Sequence, residues 1–208
     1  MWNVTEKRPE GYSKYITYRQ PGVRWELGYV LPYADSPFDN ENVGEEVYFH
    51  ILNHAKKYVH IMTPYLILDN EMITTLTRTA KSGIEVIILM PHIPDKWYAF
   101  VVAKTYYNEL IKAGVQIYEY TPGFVHAKVF VSDDDTATVG TINLDYRSLY
   151  LHFECGVFIY NNAVVDEIED DFQKTLAKSH KVTLMEVKHQ TLFTKITGQV
   201  LRLFAPLM

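Results

Sequence analysis

The chain has 208 residues, 48% of them hydrophobic and 22% charged, with a single cysteine, Cys155, and a formal net charge of −5. That length supports one domain with a substantial core, and the composition excludes a disordered chain and an intrachain disulfide framework. No run approaches the roughly 18 apolar residues of a bilayer-spanning helix, no signal peptide opens the chain, and the acidic balance disfavours a sequence-independent nucleic-acid binder, whose affinity comes from neutralising phosphates.

Residues 1–42 read as an irregular N-terminal segment punctuated by Tyr, Pro, Gly and Asp, with one strand expected near 24–31. Residues 43–208 read as a single domain. A helix is expected over 45–57, with Val47, Ile51, Leu52 and Ala55 at helical spacing, then a strand over 58–63 ended by Pro64. A second helix over 69–81 turns Met72, Ile73, Leu76 and Ala80 inward, ahead of the apolar run 84–90. A longer helix over 96–112 precedes a strand over 115–120. The joints "KSGIEVI" and "KAGVQIY" each end a helix on a glycine, which reaches the left-handed conformation cheaply, and enter a β-rich run. Strands separated by helices imply crossover units, so the expected fold is α/β: a mixed, largely parallel sheet flanked by helices on both faces.

Further on, strands are expected over 125–132 and 136–140, joined by the acidic turn "DDD", and over 152–160. Asn161 or Asn162 is placed to cap a helix over 164–179, which is acidic at its start and basic near its end. The tail "TLFTKITGQVLRLFAPLM" is amphipathic, and the default for such a stretch is to pack its apolar face on its own sheet.

Within 125–132 the alternation of a strand sends Ala127, Val129 and Val131 into the core and His126 and Lys128 together to the other face. An imidazole fixed beside an ammonium suits an anion. Thr141 and Asn143 share parity after the turn, and Gly140 leaves room for backbone or a ligand to approach. In the later strand Phe153, Cys155 and Val157 form the apolar face, with Cys155 a small core residue, while Glu154 lies opposite beside Gly156.

The triplet His-x-Lys is nearly uninformative, since this composition yields about half a match by chance, and a second copy, His54-Ala55-Lys56, lies on an expected helix. The full spacing His126-x-Lys128-x4-Asp133-x6-Gly140-x2-Asn143 has a chance expectation of only ~10⁻⁴. The 54–56 copy fails it, with Ile61 where the aspartate should stand. His50 and His54 have an i, i+4 spacing but lack the glutamate and third ligand of a zinc helix, so no metal site is expected.

This pattern resembles the HKD motif of the phospholipase D superfamily, and "GTINLDYRS" followed by "HFE" is similar to its cardiolipin synthase branch. "TPYLILDNEMITTL", "AGVQIYEYTPGFVHAK" and the terminal "FAPLM" extend the resemblance over roughly 43–208, the C-terminal half of such enzymes. The resemblance implies a phosphatidyltransferase acting through a phosphohistidine intermediate without metal or other cofactor. His126 would be nucleophile or general acid, and Lys128, Asn143 and Thr141 would bind the phosphate oxygens. It implies that Glu154 orients the histidine, and it brings Asp133 into the catalytic set, although a place at a turn suggests a structural role. Thr141 departs from the serine usual there but keeps the hydroxyl. Arg147 either contacts lipid phosphate or braces its loop, and Pro64–Tyr65 either lines the cleft or fills the core.

The larger departure is that these enzymes use two such motifs, and this chain has one. A second half is therefore an expected partner, upstream in the same chain or in a homodimer, together with a phosphatidylglycerol substrate and, through the full-length enzyme, a membrane surface. The implied location is the bacterial cell membrane, with the catalytic part on the cytoplasmic side. The alternatives are a one-motif phosphodiesterase or nuclease completed by two-fold association and a non-catalytic interaction module of the same fold.

Overall fold

The structure is a computed structural model and describes residues 27–39 and 41–207. In chain order the elements are β1 (Tyr29–Asp35), α1 (Val43–His54), β2 (Tyr58–Met62), β3 (Leu66–Ile67), α2 (Asn70–Lys81), β4 (Glu85–Pro91), α3 (Trp97–Ala113), β5 (Gln116–Tyr120) and β6 (Val129–Ser132). There follow β7 (Thr136–Gly140), β8 (Leu144–Asp145), a π-helical turn (Arg147–Leu151), β9 (Glu154–Tyr160), α4 (Val164–Leu176), β10 (Ser179–Lys181), α5 (Leu184–His189), α6 (Leu192–Arg202) and a 3-10 turn (Ala205–Leu207).

Local chemistry sets the element ends as the sequence suggests. Asp69 caps α2 by accepting from the Met72 N–H at 2.7 Å. Gly114, at φ 106°, closes α3: its N–H bonds the Ile111 carbonyl at 3.1 Å and the Val115 N–H bonds that of Leu110 at 3.0 Å. This is the paired closure that a left-handed residue permits. Asn162, through its side-chain oxygen, accepts from the Val164 N–H at 3.1 Å at the start of α4.

Eight strands form one sheet in the order β1-β9-β7-β6-β2-β4-β5-β10, and β3 pairs with β8 apart from it. Helices cover both faces, as expected. Val59 and Ile61 of β2 join α1, α2 and α3 in one core. Met62 of β2, with Ile87 and Leu89 of β4, joins Phe172 of α4 in the other. This alternation is why β4 reads as a continuous apolar run: both its faces are buried.

Three expectations need correction. Within the large sheet only β2-β4-β5 pair in parallel and the other neighbours are antiparallel, while the separate β3–β8 pair is parallel. Parallel neighbours need a crossover, and the one after β5, through α4, delivers β10 antiparallel to β5. β6 and β7 are joined by a tight turn with Asp133 and Asp134 at φ 57° and 66°, which only antiparallel strands accommodate. Second, the early strand is β1, which runs on to Asp35; positions 24–26 of the expected strand lie outside the described residues. Third, Cys155 is exposed, not core. The core beneath α4 reaches Val157 and Ile159 on that strand face and stops short of Cys155 and Phe153.

The tail departs as well. α6 packs on α3 through its small residues: Gly198 is buried against Thr105 and Val101, where an added Cβ would lie 2.7 Å from the Thr105 methyl. Apart from Leu201, which packs on the core, the large apolar residues of α6 face outward. The helix is amphipathic, but its apolar side is not the side it buries.

Candidate active site

The site forms at the sheet edge where β2, β4 and β5 end, β6 and β9 begin and β7 ends. His126 and Lys128 lie in the extended lead into β6, one step before its ladder, and the Gly140 N–H still bonds the Lys128 carbonyl at 3.2 Å. The expected parity holds: Val125, Val129 and, partly, Ala127 enter the core under α4. Phe130, on the opposite face, stacks on Tyr48 with ring centroids 4.1 Å apart.

Two glycines bring the strands together, for reasons other than ligand access. A Cβ on Gly140 would lie 2.4 Å from the Cys155 carbonyl oxygen, so its bareness lets β9 approach β7. A Cβ on Gly156 would lie 2.4 Å from the Tyr33 ring, which fills the space the sequence left open and hydrogen-bonds Thr138 at 2.9 Å. This approach puts Thr141 beside Glu154. The Thr141 N–H bonds the Cys155 carbonyl at 2.9 Å, the Cys155 N–H bonds Thr141 Oγ1 at 3.0 Å, and the Thr141 hydroxyl donates to the Glu154 carboxylate.

Lys128 is 9% exposed, and its Nζ donates to the His126 carbonyl at 2.7 Å. Burial pulls its pKa below the ordinary lysine value, opposed by the Glu154 and Asp145 carboxylates. Asn143 donates through Nδ2 to Ser148 Oγ at 2.9 Å, while its Oδ1 is buried with no partner. An orphaned buried acceptor is costly, by about 1–3 kcal/mol, and such atoms are kept where they serve a purpose other than stability. Asp145, buried beside it, accepts from the Ser148 N–H at 2.8 Å, and burial raises its carboxyl pKa.

The structure therefore brings His126, Lys128, Thr141, Asn143 and Glu154 to one edge, from three separate stretches of chain. It does not join Glu154 to His126. Glu154 takes the Thr141 hydroxyl and faces His152 at 3.8 Å. The exposed His126 ring lies near Phe124, with centroids 5.7 Å apart. His152 follows the π-helical turn and competes for the carboxylate, which the alternation of the strand alone did not reveal.

Asp133 stands apart from the catalytic set, at the far end of β6. Its carboxylate accepts the backbone N–H groups of Lys56, Lys57 and Tyr58 at 2.6, 2.9 and 3.0 Å, pinning the α1–β2 connection. Its acceptors are committed to the main chain, and a strand's length separates it from His126.

Beside the site lies a cavity of about 420 Å³ whose walls include Asn143, Glu154, Arg147, Lys96 and Tyr65. Tyr65 thus belongs to the cleft; its hydroxyl donates to Asp95 at 2.5 Å and Lys96 sits over its ring, 5.2 Å from the centroid. Lys96, Asp145, Ser148 and His152 are site residues that the sequence reading missed. Asp145 and Ser148 stand within the quoted "NLDYRS", the one signal that could have found them. A second cavity, of about 400 Å³, lies at the opposite end, around His50, His54, Lys56 and Asp133.

Residues 48–176 match the family model described as "Cardiolipin synthase, PLD-like domain". A cardiolipin synthase from Clostridium perfringens is 39% identical over 175 residues, covering 84% of this chain and 37% of that protein. The fold is similar to that of phosphatidylserine synthase from Haemophilus influenzae, with a TM-score of 0.65 at 17% identity over 86% of this chain and 45% of that one. It is also similar to that of Nuc from Salmonella typhimurium, a phospholipase D family member, with a TM-score of 0.63 at 17% identity over 75% of this chain and 99% of that one. The chain spans less than half the length of the curated relatives it matches. With the edge-clustered His126, Lys128 and Asn143 and this match over more than half its length, the chain belongs to the cardiolipin synthase, PLD-like domain family.

Proposed function

We propose that the chain is the C-terminal catalytic half of a cardiolipin synthase and works with a second half that supplies another HKD histidine. The observation that carries this reading is the convergence of His126, Lys128, Thr141, Asn143 and Glu154 on one sheet edge, next to a cavity with cationic and aromatic walls. In the first step one histidine attacks the phosphorus of a phosphatidylglycerol. The bond from phosphorus to the headgroup glycerol oxygen breaks, and the second histidine protonates the departing glycerol. In the second step the free hydroxyl of another phosphatidylglycerol gives its proton to that same histidine and attacks phosphorus. The phosphorus–nitrogen bond breaks, leaving cardiolipin and the free enzyme.

The acceptors of negative charge are the phosphate oxygens, and Lys128 with the Thr141 and Asn143 side chains supplies the stabilising donors. The Lys128 ammonium and the Asn143 amide each keep N–H donors beyond the one given to the His126 carbonyl and to Ser148. Partial burial strengthens the Lys128 charge against an anion. Glu154 accepts from the Thr141 hydroxyl and has a second oxygen to accept from whichever imidazole approaches it.

The test is a two-motif enzyme carrying this half, given phosphatidylglycerol labelled in the phosphate. The expected results are an acid-labile label on the quenched protein and one glycerol released per cardiolipin. Normal transfer by His126→Ala would sink the assignment. A second reading, a one-motif phosphodiesterase completed by self-association, draws support from the Nuc fold, 99% of whose chain aligns within this single unit. A purified dimer that cleaves a phosphodiester reporter without any second half would favour it.

A further inference from the structure

We infer that the outward stripe of α6 is a docking face for an anionic lipid bilayer, which sets the cavity beside Asn143 and Glu154 at the membrane plane. This rests on the lipid-substrate reading above. The first observation is the inversion of the helix. Thr194, Thr197, Gly198 and Leu201 turn toward α3, while Leu192, Phe193, Ile196, Val200 and Leu203 are left outside. Phe193 is 79% exposed and Leu203 78%. An ordinary surface helix shows the reverse arrangement, so the stripe is an apolar face with no core to enter.

The second observation is charge. In a chain of net charge −5, residues 187–208 contain no Asp or Glu and carry Lys188 and Lys195, both exposed, while Arg202 turns inward over the Tyr106 ring, 4.2 Å from its centroid. An apolar stripe with exposed lysines beside it and free of acids is complementary to a bilayer rich in anionic headgroups, and it suits a helix lying in the interface plane. The third is continuity. The stripe runs on through Phe204 to Leu207, which is 76% exposed and itself lines the cavity shared by Asn143, Glu154 and Arg147. A bilayer touching the stripe thus meets the mouth of that cavity, where a lipid headgroup could enter while its acyl chains stay in the membrane. No helix among the described residues is long and apolar enough to cross a membrane, so contact through this element would be peripheral.

The test is flotation of the purified chain with vesicles of phosphatidylcholine alone or mixed with phosphatidylglycerol, at low and high salt. The expected result is binding to the mixed vesicles that weakens with salt and falls at least tenfold in Phe193→Glu/Val200→Glu. Met185→Glu, at an exposed apolar position off the stripe, should bind like the parent, and all three should melt alike. Absence of binding by the parent, or undiminished binding by the double variant, would overturn the inference. So would a parent that runs as a dimer, does not float and becomes monomeric in the double variant, because the stripe would then be a protein contact. Transfer between short-chain phosphatidylglycerols kept below their micelle concentration separates the two proposals. Loss of flotation in the double variant with this transfer intact supports docking, whereas flotation by a two-motif enzyme incapable of the transfer sinks the transferase reading alone.

Discussion

The chain holds two His-Ala-Lys triplets at opposite ends of one antiparallel strand pair, and their surroundings could hardly differ more. β2 and β6 pair with Val59 opposite Ser132 and Met62 opposite Val129, so residues 54–56, just before β2, lie at the end of β6 farthest from His126. His54 ends a helix, its Nδ1 is spent on the His50 carbonyl at 2.8 Å, and its ring stacks on His50. His126 leads into a strand, its ring is exposed, and Lys128, Thr141, Asn143 and Glu154 gather around the same edge. The motif's own aspartate sides with the other triplet: Asp133 holds the Lys56 N–H. A linear motif can therefore be split in space, with its candidate catalytic groups at one end of a strand and a backbone clamp at the other.

The sharpest way to break this comparison is to truncate both histidines in a two-motif enzyme. His126→Ala should lower phosphatidyl transfer by on the order of 10³-fold or more with circular dichroism unchanged, while His54→Ala should stay within about twofold of the parent. A comparable loss in both would erase the distinction. Next comes the cation. Lys128→Met should cost roughly 10²-fold in kcat, because it removes a charge that meets the transition state, and Lys56→Met should cost none. A matching effect of the two lysines would show that the 54–56 end also serves the reaction.

The aspartate is expected to report on stability. Asp133→Ala removes three hydrogen bonds to backbone N–H groups, partly exposed ones, so a loss of about 1–2 kcal/mol follows. That corresponds to a fall in Tm of roughly 2–8 °C for a chain of this size, with activity per folded molecule retained. A tenfold drop in kcat without any change in Tm would return Asp133 to the catalytic set.

The smallest expected effect on activity concerns how the site end is braced. The Tyr150 hydroxyl lies 2.9 Å from both Glu45 oxygens and also donates to Asp69, tying the π-helical turn that carries Ser148 to the starts of α1 and α2. Burial and the adjacent Asp69 raise the Glu45 carboxyl to about 8. Its unfolded value is near 4.5, so the folded protein holds a proton there that the unfolded chain releases. The stability from that proton is present below about pH 4.5 and is lost as pH rises toward 8. Melting temperatures should fall from pH 5 to 8 for the parent and run flatter for Glu45→Gln. A parent profile that rises with pH would reverse the sign and refute the shared proton.

Much of this was legible in the chain because it depends on near neighbours. The crossover units from β2 to β5 follow from helical spacing and the glycines at 83 and 114, both at positive φ. The facing of His126 and Lys128 follows from strand alternation. What escaped were pairings made at a distance. Nothing local says that β1 returns to pair with β9, that Tyr33 occupies the space at Gly156, or that the Thr141 hydroxyl takes up the carboxylate expected to hold His126. Cys155 looked interior because its strand neighbours are apolar, but which end of that face a helix covers is a tertiary fact.

The sequence by itself determined the family, the longer helices and strands between 43 and 176, and the spacing that singles out residues 126–143, since all of these are properties of order and short-range periodicity. The short β3, β8 and β10 and the helix α5 were not legible in it. The tertiary structure decided which partner each polar group takes. It gave Asp133 to the backbone of 56–58, joined Glu154 to Thr141, and turned the apolar side of α6 away from the core. The physical reason is shared by all three: a side chain's alternation fixes the face on which it lies, but only the packed neighbours on that face fix what it meets.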